Sequence, residues 1–368
     1  MSEVHAARRS WLRARCSPVN GAAVVSGPAN VRYLVGAAPV GAALLVRHSG
    51  GDVLLGHWDP AQSPAGPLGE FGGPRIVALD GEADPVEAAV ALAVEEGARE
   101  IALEEHHLTV ARHRVLATAA PAVRLTDLGR AVEDQRVVKD EDEIAALRVA
   151  AEITDRALGE LLESILVGRT ERHLALELER RLVDHGADGP AFPTSVATGS
   201  HSGLAGHRPT DRRVEEGDFL TVRLGARFRG YRCRIGRTFV IGTSPADWQI
   251  ELYDVVFAAQ RAAREALTPG AECRAVDRAA REVLTAAGHG KALGPVTGHG
   301  VGLEMGEDPR MGPAAMGRLG ACVPVTVEPG VHLPGRGGVR IDDTLVVRPS
   351  ADGGPELLTI TTKELLAL

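Results

Sequence analysis

No run of this 368-residue chain approaches the roughly 18–20 consecutive apolar residues of a membrane span, so an integral helical membrane protein is not expected. The N-terminal stretch MSEVHAARRSWLRARCSPVN carries charge but lacks the apolar segment of a secretory signal. Positive charge is in deficit: 41 Lys and Arg face 49 Asp and Glu, a formal net charge of -8. That balance disfavours a nucleic-acid binder. Cysteine is scarce, and Cys16, Cys233, Cys273 and Cys322 show neither paired spacing nor a CxxC. A disulfide framework and a zinc site are therefore not expected, and the thiols read as reduced, in a cytoplasmic protein. What is present is ordinary for a soluble globular chain, with 44% hydrophobic and 24% charged residues. Single cores rarely grow beyond about 250–300 residues, so the length implies two domains.

Over the first third, short apolar runs alternate with Gly and Pro turns. GAALLVRHSGGDVLLGHW reads as two strands joined at Ser49–Gly51, and ADPVEAAVALAVEEGAREIAL as a helix with Asp84 at its N-cap and Pro85 at its first position. A small α/β domain over 1–135 fits this alternation. The adjacent His106 and His107 are expected at the surface. From 136 to 368 the pattern changes to an α+β domain. VVKDEDEIAALRVAAEITDRALGELLESI repeats apolar residues at helical spacing (Ile144, Leu147, Ala151, Leu158, Leu161, Ile165) behind an acidic start that suits the helix dipole. ERHLALELERRLVDHG, ADWQIELYDVVFAAQRAAREAL and CRAVDRAAREVLTAAG are further helices, with strands and Gly-rich loops after each pair.

Between the helix pairs, FLTVRLGARFRGYRCRIGRTFVIG reads as two strands and a turn. Such strands bury what they point inward, yet Arg223 and Arg234 occupy inward-facing positions. The surrounding segments explain why this is notable. FPTSVATG ahead of RPTD, GYR..IGRTFVIG, TGHGVGLE and VTVEPGVHLPGRGGVRIDDT, in that order, resemble the creatinase/aminopeptidase P/prolidase family (M24) over about residues 136–350. The first domain resembles that family's N-terminal domain more loosely.

The resemblance implies a pita-bread catalytic-type domain and, in active members, two divalent ions (Mn, Co or Zn) held by two Asp, one His and two Glu. Carboxylates bridging two hard cations lower the pKa of a shared water. Matched motif by motif, the His falls on His299, one Glu on Glu328, and the other Glu on the shorter Asp342. The two Asp positions fall on Arg223 and Arg234. The family's substrate-handling histidines fall on Gly206, beside His207, and on Gly306. Arg223 and Arg234 opposite Glu328 and Asp342 make a neutral set, as four carboxylates with two divalent ions do. A buried site must be nearly neutral. One ion kept on His299, Glu328 and Asp342, about 4 Å from Arg234, would meet repulsion of ~8 kcal/mol at an effective dielectric of 20. The expectation is therefore that no metal cofactor is used.

Three readings follow: an ordinary Xaa-Pro dipeptidase or aminopeptidase, a metal-independent creatinase-like hydrolase, and a pseudopeptidase that binds a peptide or small carboxylate without cleaving it. For chemistry, His207, His299 and Glu328 are the candidate catalytic groups. For ligand binding, Arg223, Arg234 and Arg340 are the candidates. Arg237 and Arg340 match arginines common in the family, whose ordinary role is salt bridging. Cys233 faces away from Arg234 along the strand and reads as a core thiol, and His332 as a rim residue. Family members are often homodimers, which the resemblance carries over as an expectation; no nucleic-acid or membrane partner is expected.

Overall fold

The computed structural model describes residues 2–15, 21–57, 73–164 and 166–368. Cys16, Trp58 and Ile165, which enter the sequence reading above, lie outside the described residues. The chain divides into two compact units, Met1–Arg136 and Val137–Leu368.

In the first unit a six-stranded mixed sheet runs in the order Arg75–Ala78, Val53–Gly56, Ala43–Arg47, Gly21–Val25, Glu100–Leu103, Arg124–Asp127. Gly21–Val25 is central, antiparallel to Ala43–Arg47 and parallel to Glu100–Leu103. Its uniformly small and apolar residues are buried throughout, as a strand covered on both faces requires. Helix Pro85–Glu95 begins where the sequence places it: the Asp84 carboxylate accepts from the Val86 and Glu87 N–H groups. Val86, Ala89, Val90 and Ala93 then form one apolar stripe in this unit's core. His106 and His107 are exposed, with His106 Nε2 2.7 Å from Glu133 Oε1.

The second unit repeats one arrangement twice, two helices against an antiparallel sheet. Helix Glu141–Leu162 starts in a capping box in which Asp140 and Glu143 satisfy each other's backbone N–H groups. Together with helix Glu171–Asp184 it packs on the three-stranded sheet Ile235–Val240, Phe219–Leu224, Ser195–Thr198. Helices Asp247–Glu265 and Cys273–Ala286 pack on the five-stranded sheet Met305–Met311, Gly298–Val301, Pro324–Val327, Asp343–Val346, Glu356–Leu357. A short three-stranded sheet, Tyr231–Arg232, Ala226–Phe228, Gly189–Pro190, and a hairpin, Gly330–Leu333 with Gly337–Arg340, also belong to the unit.

The two sheets meet where the candidate residues are. Gly236 bridges Asp342 through two backbone hydrogen bonds of 3.1 and 3.0 Å. A Cβ at Gly236 would stand 2.6 Å from Asp342 Cγ, so only glycine lets these strands approach. Arg223 is the register partner of Gly236, which brings it beside Asp342. Cys233 is fully buried against Thr154 Oγ1 at 2.9 Å, and burial pushes its pKa up to about 12, which makes it an inert core thiol. Among the described residues, no helix is long and apolar enough to cross a membrane.

Candidate active site

Strands from both sheets deliver six side chains to one point. Glu328 immediately follows the strand Pro324–Val327, His299 lies in Gly298–Val301, and Arg340 and Asp342 flank Ile341 at the end of the hairpin. Arg223 comes from Phe219–Leu224, and Arg234 immediately precedes Ile235–Val240.

The contacts among them form a closed ionic network. Arg340 donates from Nε to Asp342 Oδ1 at 2.8 Å and from Nη2 to Glu328 Oε2 at 2.6 Å. Arg223 donates from Nε to Asp342 Oδ2 at 3.0 Å and, more loosely, from Nη2 to Glu328 Oε2 at 3.4 Å. Arg234 Nη1 donates to Glu328 Oε2 and lies 3.1 Å from His299 Nε2. Its guanidinium carbon sits 4.7 Å from the centre of the Phe192 ring, within cation–π range. The Arg234 Nε atom is buried without a hydrogen-bond partner. Side-chain exposure falls from 23% at Arg223 to 13% at Arg234, 6% at Glu328 and 0% at Asp342.

His299 Nδ1 is 2.9 Å from the Gly300 carbonyl, an acceptor only, so Nδ1 carries the proton and Nε2 presents its lone pair to Arg234. Burial lowers the His299 pKa and the Arg234 charge adds to it, outweighing the opposing pull of Glu328. The imidazole is therefore neutral near pH 7.

Both acids are charged. Burial works to raise their pKa values, but the guanidiniums, Arg340 foremost, more than offset it: Glu328 is lowered and Asp342 falls to about 2. A carboxylate whose folded-state pKa is depressed stabilises the fold above its unfolded pKa of about 4 and loses that contribution as pH falls through the folded value. Denaturant melts taken at successive pH values should therefore show stability falling from roughly pH 4 towards pH 2. A flat response across that window would contradict the network.

Charge is where the structure departs from the sequence reading. Arg340 touches both acids, so among the described residues three guanidiniums face two carboxylates, and with His299 neutral they carry one excess positive charge. The neutral set expected from Arg223 and Arg234 alone omitted it. Behind the network, Arg237 is fully buried against Asp343 at 2.8 Å and belongs to the core.

The structure does not bring His207 into this network. Its Nε2 is 2.8 Å from Oε2 of the fully buried Glu171, and His201 Nδ1 is 3.0 Å from Oε1 of the same carboxylate. Glu171 also accepts from the Thr198 and Thr210 N–H groups at 2.8 and 2.9 Å. Gly206 and Gly306 both have positive φ, 73° and 83°, and supply no side chain. Sequence reasoning missed Phe192 as the wall beside Arg234, and Glu171 as the anchor of two histidines. Arg340 is a ligand-binding candidate in the sequence but is absent from the charge count made there, although its spacing of two from Asp342 carries a same-face signal.

The family model of the Creatinase/Prolidase N-terminal domain matches residues 20–138, and that of Metallopeptidase family M24 matches residues 145–349. This chain belongs to metallopeptidase family M24. It is 37% identical to an Xaa-Pro dipeptidase of Pyrococcus horikoshii over 235 residues, covering 64% of this chain and 66% of that relative, just under two thirds of its length. It is also similar to two solved M24 structures. The Xaa-Pro dipeptidase from Bacillus anthracis is 27% identical with a TM-score of 0.89 over 100% of both chains. The prolidase from P. horikoshii is 29% identical with a TM-score of 0.87 over 98% of this chain and 99% of that one. The second unit has the pita-bread M24 fold, preceded by the family's N-terminal domain.

Membership corrects the expectation that no metal cofactor goes with this chain. M24 is by description a metallopeptidase family, and the relatives are Xaa-Pro dipeptidases and prolidases. Candidate donors also exist: atoms of Glu171, His201 and His207 lie within 4.8 Å of one another. The centre on Glu328 and Asp342 is a different matter. Guanidinium N–H groups have no lone pair to offer, and those of Arg223, Arg234 and Arg340 are bonded to the two acids. As arranged here, these side chains do not fit a pair of divalent ions.

Proposed function

We propose that this M24 protein uses the guanidinium–carboxylate centre to bind a peptide or small carboxylate without hydrolysing it. The observation that carries the reading is the excess positive charge. A centre held together by its own ion pairs would be stable at neutrality, whereas one unmatched guanidinium in a protein of net charge -8 calls for an anion. A ligand carboxylate about 4 Å from that charge gains ~4 kcal/mol at an effective dielectric of 20, before desolvation. Arg223 is the most exposed of the three arginines and holds Glu328 only loosely, which makes it the group to receive the anion.

The lack of a hydrolytic arrangement supports the second half of the reading. Neutral His299 could accept a proton in principle, but its Nε2 lone pair faces Arg234. His207 is committed to Glu171. The test is incubation of the purified chain with Xaa-Pro dipeptides and added Mn²⁺, with product release followed by mass spectrometry.

A further inference from the structure

A groove of about 560 Å³ opens in the second unit, within the size range of small-molecule sites. Its walls are largely apolar, including Leu204, Ala205, Leu293, Leu333 and Pro334. A smaller cavity of about 20 Å³ shares Leu293 and Gly294 with the groove and has Glu328 and Arg340 in its own wall. The groove therefore neighbours the centre across a shared wall. His332, on the hairpin strand that pairs Gly330 with Arg340, lines the groove and lies close enough to Arg340, Arg223 and Asp342 to feel their charges.

Among the described residues, the ionisable ones lining this groove are His289, Lys291 and His332, and no carboxylate lines it. The acids of the centre are engaged as well. Glu328 Oε2 accepts from three arginines while its Oε1 lies 3.7 Å from His299 Nε2, and Asp342 has one arginine on each oxygen. A ligand ammonium would find no free acid in the groove, and at the centre it would enter a network already in positive excess. A carboxylate would be welcome there, and an apolar body would fill the groove. His332 Nδ1 lies 3.3 Å from the Ser202 carbonyl, which makes it the protonated nitrogen and leaves Nε2 as an acceptor for an amide N–H.

We propose that the cleft selects an apolar ligand with one free carboxylate and a blocked amine, an N-acylated amino acid or N-acylated short peptide, in preference to a free dipeptide. The inference rests on the carboxylate-binding reading above and narrows it.

Titration calorimetry with N-acetyl-Leu-Pro, Leu-Pro and N-acetyl-Leu-Pro amide tests it. N-acetyl-Leu-Pro should bind at least ~10-fold more tightly than Leu-Pro, because the free ammonium goes unpaired, and at least ~10-fold more tightly than its amide. In Lys291→Glu, an exposed position where the fold should tolerate change, the new acid should shrink the preference over Leu-Pro. Leu-Pro binding as well as its acetylated form, or an unchanged preference in Lys291→Glu, overturns the inference while leaving carboxylate binding in place. Equal binding of the amide, or no binding of any of the three, overturns both. Cleavage of Leu-Pro would instead count against the non-hydrolytic reading alone.

Discussion

Replacing Asp342 by asparagine is expected to cost roughly 3–5 kcal/mol of folding stability, while replacing Arg223 by methionine should cost less, about 1–3 kcal/mol. The asymmetry follows from the excess charge. Asparagine at 342 removes a fully buried acid and leaves three guanidiniums against Glu328 alone. Methionine at 223 removes the unmatched cation. Asp342 keeps Arg340 and Glu328 keeps Arg340 and Arg234, so neither acid loses its last arginine, although Asp342 Oδ2 loses the Arg223 donor. Methionine also conserves much of the aliphatic stem. The double variant should lose less than the sum of the two single losses, because the groups share one network. Urea melts of the three variants measure this directly. Equal losses at the two positions would mean that the centre is not cationic.

Incubation with Xaa-Pro dipeptides and Mn²⁺ is expected to give no chelator-sensitive turnover, and Arg223→Met combined with Arg234→Met should weaken carboxylate-ligand binding by about 100-fold or more. The second figure is a conservative share of the charge–charge attraction to Arg223, ~4 kcal/mol at 4 Å and an effective dielectric of 20. Returning both positions to aspartate should favour divalent ions at the centre but should not bring turnover with them. The family's substrate-handling histidines fall at Gly206 and Gly306, which have no side chains to supply a proton. Robust hydrolysis by the unmodified chain, abolished by a chelator, would overturn this reading.

Much of this was legible in the sequence. Asp84 announced one helix start because an N-cap needs only local geometry, and an acidic run announced the next through the helix dipole. The period of Ile144, Leu147, Ala151, Leu158 and Leu161 announced a buried face, and all five are buried. The placement of Arg223, Arg234, His299, Glu328 and Asp342 in one cluster came through ordered motifs, since no spacing rule links residues more than one hundred positions apart. What sequence could not supply was the partner count. Whether Arg340 bonds one acid, both or neither depends on the bridge at Gly236 that sets the separation of the two sheets. His207 looked like a neighbour of the centre by its position beside Gly206. Its direction depended on Glu171, a helix-start residue with no local sign of being a buried anchor. The metal expectation failed for another reason: it extended the chemistry of one cluster to the whole protein, while family membership and a separate donor group speak otherwise.

The most direct test of the carboxylate-binding centre is diffraction from crystals grown with Mn²⁺ and N-acetyl-Leu-Pro, with data also collected at the manganese edge. The account predicts Arg340 within hydrogen-bond distance of both Glu328 and Asp342, a ligand carboxylate on Arg223, and no anomalous peak between the two acids. Two manganese peaks bridged by Glu328 and Asp342, with Arg223 and Arg234 swung away, would contradict it.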